Sequence, residues 1–147
     1  MKVAITASDA FVAPYIIDAL GDAAVVIPDE ALEDSMTLDV MLTPCNALIH
    51  INSRPVNTTV ARNDREVKIM MREAARPVLD AVNRHGELHM IIVGTLRVHP
   101  PWSPGDDYYG PESSLSPRDT AAEGQLWIEE NALERAESGF IFSVIRA

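Results

Sequence analysis

Residues 2–20 of this chain read KVAITASDAFVAPYIIDAL, with three patterns in succession. Residues 3–5 are a short apolar run, typical of a strand buried on both faces of a parallel sheet. The next five residues are small or polar and predict a turn. From Phe11 onward apolar residues recur at helical spacing, with Pro14 in the first turn and Gly21 as the C-cap. In an open parallel sheet such a strand–turn–helix unit usually forms a dinucleotide site. The predicted apolar face of the helix consists of Phe11, Val12, Tyr15, Ile16, Ala19 and Leu20.

The length and charge of the chain limit its class. A chain of 147 residues with 47% hydrophobic residues fits one domain with a packed core. Twelve basic residues against 22 acidic ones give a net charge of −10, which argues against nucleic acids and anionic membranes as partners. The single cysteine, Cys45, excludes an intramolecular disulfide and favours a cytoplasmic location. We expect neither a signal peptide nor a membrane-spanning segment.

The rest of the chain continues the alternation of strand and helix. Asn63 and Glu66 have the spacing of a capping box, and Ser116 followed by Pro117 predicts another helix start. Pro77 falls inside a helical pattern, so a kink is expected there. The fold class is therefore α/β. Further strands are predicted at 23–27, 46–53, 88–99 and 140–147, and further helices at 33–44, 63–86 and 117–138.

The turn after the first strand resembles that of a known family. Residues 6–13 read TASDAFVA, which is similar to the T-G-A-T-G-F-V-G opening of the extended short-chain dehydrogenase/reductase family, the NAD-dependent epimerases and dehydratases. The three family glycines fall on Ala7, Ala10 and Ala13. In such turns they permit the tight turn, the approach of the pyrophosphate, and close helix packing. We therefore expect the methyl of Ala10 to occupy the phosphate position, and Asp9 to compete with an anionic ligand.

The resemblance implies NAD or NADP as the cofactor. An acidic residue after the second strand binds the ribose in the family, and Asp29 or Glu30 takes that place unless it is an ordinary acidic turn. The third strand resembles the family's D-A-V-I-H-L-A-A. His50 within this strand is interpreted as a satisfied core histidine, and no metal site is expected. The cofactor-binding residues that the resemblance implies are Ala7, Asp9, Ala10, Phe11, Val12, Asp29, Asn52 and Ser53.

The catalytic residues of the family are matched poorly. Residues 88–99 resemble the strand that ends in the substrate-polarising serine, and Thr95 takes its place as the candidate catalytic hydroxyl. The family's Tyr-x-x-x-Lys pair falls on the last predicted helix, where the lysine precedes Leu-x-x-Glu. The residues QLWIE match that context and put Gln125 at the lysine position and Ala121 at the tyrosine position. Neither side chain can supply the proton for hydride chemistry or hold the ribose.

The resemblance covers residues 2–146 and implies the architecture. We expect a single Rossmann-like domain, 1–147, without the family's C-terminal substrate region. It should be a three-layer sandwich with about five parallel strands in the order 2-1-3-4-5 and helices on both faces. The resemblance also implies a homodimer formed through helices 63–85 and 117–138, with Met71, Trp127 and Ile128 as candidate contacts.

Two hypotheses for function remain. The first is a degenerate member, a pseudoenzyme that binds a partner or a nucleotide-like ligand without redox catalysis. The second is an NAD(P)-dependent epimerase, dehydratase or reductase that acts on a sugar nucleotide or a small carbonyl compound through a non-standard site. That site would use Thr95 and residues such as Asp106, Asp107, Tyr108 or His99. In the loop 100–116, Trp102, Tyr108 and Tyr109 either line a pocket or pack down as a rigid lid.

Overall fold

The computed structural model describes residues 1–6, 10–51, 63–101, 113–136 and 141–146. Five parallel strands form one sheet in the order β2-β1-β3-β4-β5, which confirms the predicted order. The strands are β1 (Val3–Thr6), β2 (Ala24–Val26), β3 (Ala47–Ile51), β4 (His89–Gly94) and β5 (Phe142–Arg146). The helices are α1 (Ala13–Leu20), α2 (Asp29–Leu32), α3 (Ser35–Leu42), α4 (Asp64–Arg84) and α5 (Thr120–Ala136), with 3-10 turns at Gly21–Ala23 and Leu96–Val98.

Helices cover the two faces of the sheet, as the Rossmann-like prediction requires. On one face, Ile5 and Ile51 pack with Ala10 and Ala13 beneath α1. The larger core lies on the other face, where the strands meet α2 to α5. Alternation along each strand sends neighbouring residues to opposite faces, so the apolar runs of the sequence are buried on both. The larger core includes Ala4, Leu48, Met90, Ile92, Leu38, Leu79, Val82 and Ile128.

The first helix differs from its predicted face. Phe11 is 83% exposed and Tyr15 69% exposed, and their rings lie 6.0 Å apart in a tilted pair. The buried stripe instead runs through Ala13, with Ile16, Ile17 and Leu20 partly buried beside it. Pro14 lies in the first turn, and Gly21 caps the helix at φ 51° with its N–H donated to the Ile17 carbonyl, as predicted.

Several predicted boundaries move because other residues cap the helices. Asp34 accepts a hydrogen bond from the backbone N–H of Met36, so α3 begins at Ser35 and residues 29–32 form a helix of their own. Asp119 accepts from the N–H of Ala122 at 2.8 Å, so α5 begins at Thr120 rather than after a cap at residue 116. The predicted strand 88–99 ends at Gly94. The cap of α4 is confirmed, since Asn63 accepts from the N–H of Glu66, and this helix continues through Pro77.

Helices α4 and α5 pack side by side and parallel to each other. The guanidinium of Arg72 stacks on Trp127 at 5.0 Å from the ring centre. Met71 is only 7% exposed, and Ile128 has no exposed surface because it faces the sheet. The choice of Met71 and Ile128 as dimer contacts was therefore wrong, because both are used in the core of a single chain. At this crossing Gly124 lets the helices approach, since a Cβ there would lie 2.6 Å from the Met71 sulfur.

Among the described residues, no helix combines the length and the apolar character that a membrane crossing would require.

Candidate functional site

The carboxyl edge of the sheet is where open α/β folds bind ligands. Strands β2 and β3 lie on opposite sides of β1, so the strand order reverses between β1 and β3, which is the topological switch point where such folds bind ligands. Thr6, Ile51 and Gly94 are the last residues of β1, β3 and β4. The candidate cofactor residues Ala7, Asp9, Asn52 and Ser53 follow these ends and lie outside the described residues.

The described part of the turn places its three candidates differently. Ala10 is 1% exposed and packs with Ile5 and Ala13, so burial in the core, and not contact with a ligand, accounts for its methyl group. Phe11 projects into solvent, and Val12 packs partly against the same core. The carbonyl of Ala10 accepts the N–H of Ala13 at 2.9 Å, which closes the entry to α1.

Asp29 begins the short helix α2, and Thr95 supports the 3-10 turn that follows β4. Asp29 is exposed and is the first residue of α2, close after the end of β2. Thr95 is partly buried directly after β4, and its hydroxyl oxygen accepts the backbone N–H of Arg97 at 3.2 Å. The Thr95 hydroxyl therefore has a structural role at the start of the 3-10 turn. Its proton is not used in that bond.

A buried polar pair joins the ends of β1 and β3. The Thr6 hydroxyl lies 2.7 Å from Nδ1 of His50, and both residues are buried. Nε2 of His50 is also buried and has no hydrogen-bond partner among the described residues. If the Thr6 hydroxyl donates to Nδ1, only the Nε2–H lacks a partner among the described residues. If Nδ1–H instead donates to the Thr6 oxygen, both the hydroxyl proton and the Nε2 lone pair lack partners there. We therefore assign the Nε2–H tautomer.

Burial also sets the charge of His50. Desolvation disfavours the imidazolium and lowers the pKa of His50 from 6.5 to about 4. The ring is neutral at neutral pH. The prediction of a satisfied core histidine therefore holds for Nδ1, whereas Nε2 has no partner among the residues that the structure describes.

Below pH 6.5 the unfolded chain should bind a proton at His50, whereas the folded chain should stay unprotonated there until the pH approaches 4. Stability should be full above pH 6.5 and fall as the pH decreases toward 4. From the cited pKa values, His50 should remove about 2 kcal/mol of stability between pH 7 and pH 5. Urea unfolding at both pH values measures this. His50→Gln should lose less stability over the interval, whereas His89→Gln, at a more exposed ring, should behave as the wild type. An unchanged pH dependence in His50→Gln would contradict the assignment.

A second and larger polar network lies at the ends of β4 and β5. Glu129 on α5 is 5% exposed. Arg146, at the end of β5, donates to Oε2 of this carboxylate from Nε at 3.2 Å and from Nη2 at 2.5 Å. Its Nε also makes a longer contact with Oε1. Gln125, 1% exposed, donates its amide to Glu129 Oε1 at 2.6 Å. The side chain at the family's lysine position is thus bound within the protein.

His99 extends this network to the loop that follows β4. Arg146 always donates, so the 3.3 Å contact from its Nη1 makes Nε2 of His99 the acceptor. Nδ1 then carries the proton and donates to the carbonyl of Ser114 at 3.0 Å. Arg118 donates to the carbonyls of His99 and Pro100. These bonds join residues 97–100 to residues 114–118 at the base of the loop.

Gly94 makes room for the network. A Cβ built at Gly94 would overlap the Gln125 amide, so any larger residue would displace the amide from Glu129. The Gln125 side chain therefore lies directly against the backbone at the end of β4. At the family's tyrosine position, Ala121 is exposed on the first turn of α5 and has no group that can transfer a proton.

Sequence reasoning named Gln125 and His99 but missed Glu129 and Arg146 as site residues. Two features of the sequence point to them. Gln125 and Glu129 are four residues apart, on the helix face that also carries Ala122 and Ala132, and Arg146 is the one charge in the apolar run of β5. The other proposed active-site residues, Trp102, Asp106, Asp107, Tyr108 and Tyr109, lie outside the described residues. Within the part of the chain described, no three His, Cys, Asp or Glu side chains are grouped as metal ligands.

Removing Arg146 should be costly because Glu129 would remain buried without its partner. Arg146→Leu should lower the free energy of unfolding by about 3–5 kcal/mol. The matched control is Arg135→Leu, which breaks the ion pair with the half-exposed Asp80 and should cost about 0–1 kcal/mol. Urea unfolding at neutral pH measures both. Adding Glu129→Leu to Arg146→Leu should recover part of the loss, and equal losses in the two single variants would contradict the buried pair.

No protein-family model and no curated protein matches the chain. Solved structures do. A short-chain dehydrogenase/reductase superfamily protein from Agrobacterium tumefaciens with bound NAD aligns with a TM-score of 0.75 at 19% identity, over 99% of this chain and 48% of that one. The chain has a Rossmann-like fold. UDP-glucose 4-epimerase from Thermotoga maritima aligns at 0.78 with 13% identity, covering 99% and 55%, and RMD from Pseudomonas aeruginosa complexed with NADPH at 0.76 with 16% identity, covering 99% and 53%.

The chain spans about half the length of these proteins. Likeness at these identities shows the fold, and the chemistry must be argued from the site itself. A dinucleotide fits this site only in part. The ends of the parallel strands lie at one edge of the sheet, but the residue aligned with the ribose-holding lysine is a buried amide bound to Glu129. We therefore derive no catalytic step through a nicotinamide.

Proposed function

We propose that this protein is a degenerate NAD(P)-type Rossmann protein of the epimerase/dehydratase kind, which binds a nucleotide-like ligand or a partner without redox catalysis. One observation carries the proposal: Gln125, at the family's lysine position, is buried and donates its amide to Glu129. A family lysine there lowers the pKa of the catalytic tyrosine, and the tyrosine position is Ala121. Both parts of the proton-transfer pair are therefore replaced by side chains without that chemistry.

The hydroxyl of Thr95 does not by itself restore an active site. A lone threonine polarises a carbonyl but has no means of accepting or supplying the proton that accompanies hydride transfer. Its oxygen already accepts the N–H of Arg97. This supports binding over turnover.

Calorimetric titration with NAD, NADH, NADP and NADPH tests ligand binding. The same protein is then mixed with NAD and UDP-glucose or dTDP-glucose, and reduced nicotinamide is followed by its fluorescence. We expect no hydride transfer, whether or not a dinucleotide binds. Restoring Ala7, Ala10 and Ala13 to glycine should raise dinucleotide affinity, because the turn then has the backbone freedom that the glycines of the dinucleotide fingerprint provide.

Accumulation of reduced nicotinamide with either sugar nucleotide would overturn the proposal in favour of an enzyme with a non-standard site. Absence of dinucleotide binding at millimolar concentration, in the wild type and in the glycine variant, would restrict the proposal to a protein partner.

We further propose that the protein forms a homodimer through the outer faces of α4 and α5. After Met71 and Ile128 are assigned to the core, exposed apolar side chains remain on each helix: Ile69, 42% exposed, and Leu133, 55% exposed. Trp127 is partly buried beneath Arg72 at the seam between the helices.

Leu133→Glu should shift a dimer toward monomer, because it places an added charge from each copy at the shared surface. Sedimentation velocity of the wild type and variant measures this. Val40→Glu on α3, at a 69% exposed side chain, is the control and should leave the mass unchanged. A monomeric wild type at micromolar concentration would contradict the dimer.

A further inference from the structure

A groove of about 300 Å³ lies on the surface between α2 and α4. Met70 and Ala74 on α4 and Leu32 on α2 form its apolar floor, and all three are partly buried. The α4 residues that line it follow one stripe of that helix, because they are spaced three and four apart.

The rim of this groove is acidic. Asp29 of α2, Glu33 directly after α2 and Glu73 of α4 line it, and none of the lining residues is basic. Glu33 and Glu73 form no ion pair with any residue of the described part of the chain. Two carboxylates, one at the end of α2 and one on α4, therefore face one apolar floor without an ion-pair partner in the part of the chain that the structure describes.

The backbone adds a further acceptor. Pro77 lies in the same groove and has no N–H, so the carbonyl of Glu73, four residues earlier, lacks its usual helical partner. The side chains at the rim are acceptors at neutral pH. A ligand that fits must supply hydrogen-bond donors, positive charge and an apolar body.

We propose that this groove docks a segment of a partner protein that carries lysine or arginine next to apolar residues. Lysine and arginine lay an apolar stem on the floor while the charged end reaches a rim carboxylate. Met70 and Pro77 are separated by about 10 Å along the helix axis, which spans about three residues of an extended segment. The net charge of −10 attracts such a segment, and the groove gives it a specific position. Because Asp29 is also a candidate ribose-binding residue, the test substitutes Glu33 and Glu73 and leaves Asp29 unchanged.

The test uses a fluorescently labelled peptide of twelve residues with alternating lysine and leucine, and anisotropy as the readout. Glu33→Gln with Glu73→Gln should weaken binding about tenfold, since two ion pairs are lost. The matched control is Glu130→Gln with Glu134→Gln, which removes two exposed carboxylates from α5 and should change affinity less than about twofold.

Two further arms use the wild-type protein. A peptide with serine in place of leucine keeps the charge and should bind more weakly, because it leaves the floor uncovered. Chemical shifts of the labelled protein should move at residues 29–33 and 70–77. Equal weakening in the rim and control variants, equal binding of the serine peptide, or shifts elsewhere would overturn the proposal. Displacement by spermine at the same affinity as the lysine–leucine peptide would also overturn it in favour of a small polycation.

Discussion

Glu129 is a carboxylate buried in the core side of α5, and its ion pair with Arg146 is the constraint on which this end of the molecule depends. A charge in such a place persists only when it is paired and hydrogen-bonded. Arg146 and Gln125 supply those bonds, and in doing so they tie α5 to the end of β5 and to Gly94 in β4. Through His99 the same arginine also holds the base of the loop after β4.

The network binds the side chain of Gln125 at the carboxyl edge of the sheet, where it lies against the end of β4. In the enzymes that the sequence resembles, a lysine stands at the position of Gln125 and acts on a tyrosine and a ribose. Here the glutamine amide points back to a glutamate within the same helix. Glu129, Arg146 and Gln125 bond to one another, so these polar groups stabilise the fold. Neither Ala121 nor Gln125 carries a side chain that can transfer a proton, and this is the observation behind the proposal of binding without redox catalysis.

Several elements were predictable because their causes are local. The cap of α4 at Asn63 and the end of α1 at Gly21 depend on residues a few positions away. The predicted start of the last helix was wrong because two nearby residues are suited to cap it. Asp119 outcompeted the Ser116–Pro117 start, because the N–H of Ser116 is bonded to Val98 on the other stem of the loop. Periodicity also assigned Phe11 and Tyr15 wrongly to the buried face of the first helix. Apolar spacing shows that a helix has an apolar face, but not which residues of that face the sheet covers.

The sequence by itself determined the alternation of strands and helices, because apolar residues recur every two residues in a strand and every three to four in a helix. The resemblance to the epimerase/dehydratase family supplied the strand order, which the structure confirms, and aligned Ala121 and Gln125 with the tyrosine and lysine of that family. Only the tertiary structure decided that Ile128 belongs to the core, that Gln125 binds Glu129, and that Arg146 balances its charge. The physical reason is distance along the chain. Glu129 and Arg146 are 17 residues apart and on different elements, so their pairing exists only after α5 has packed on the sheet.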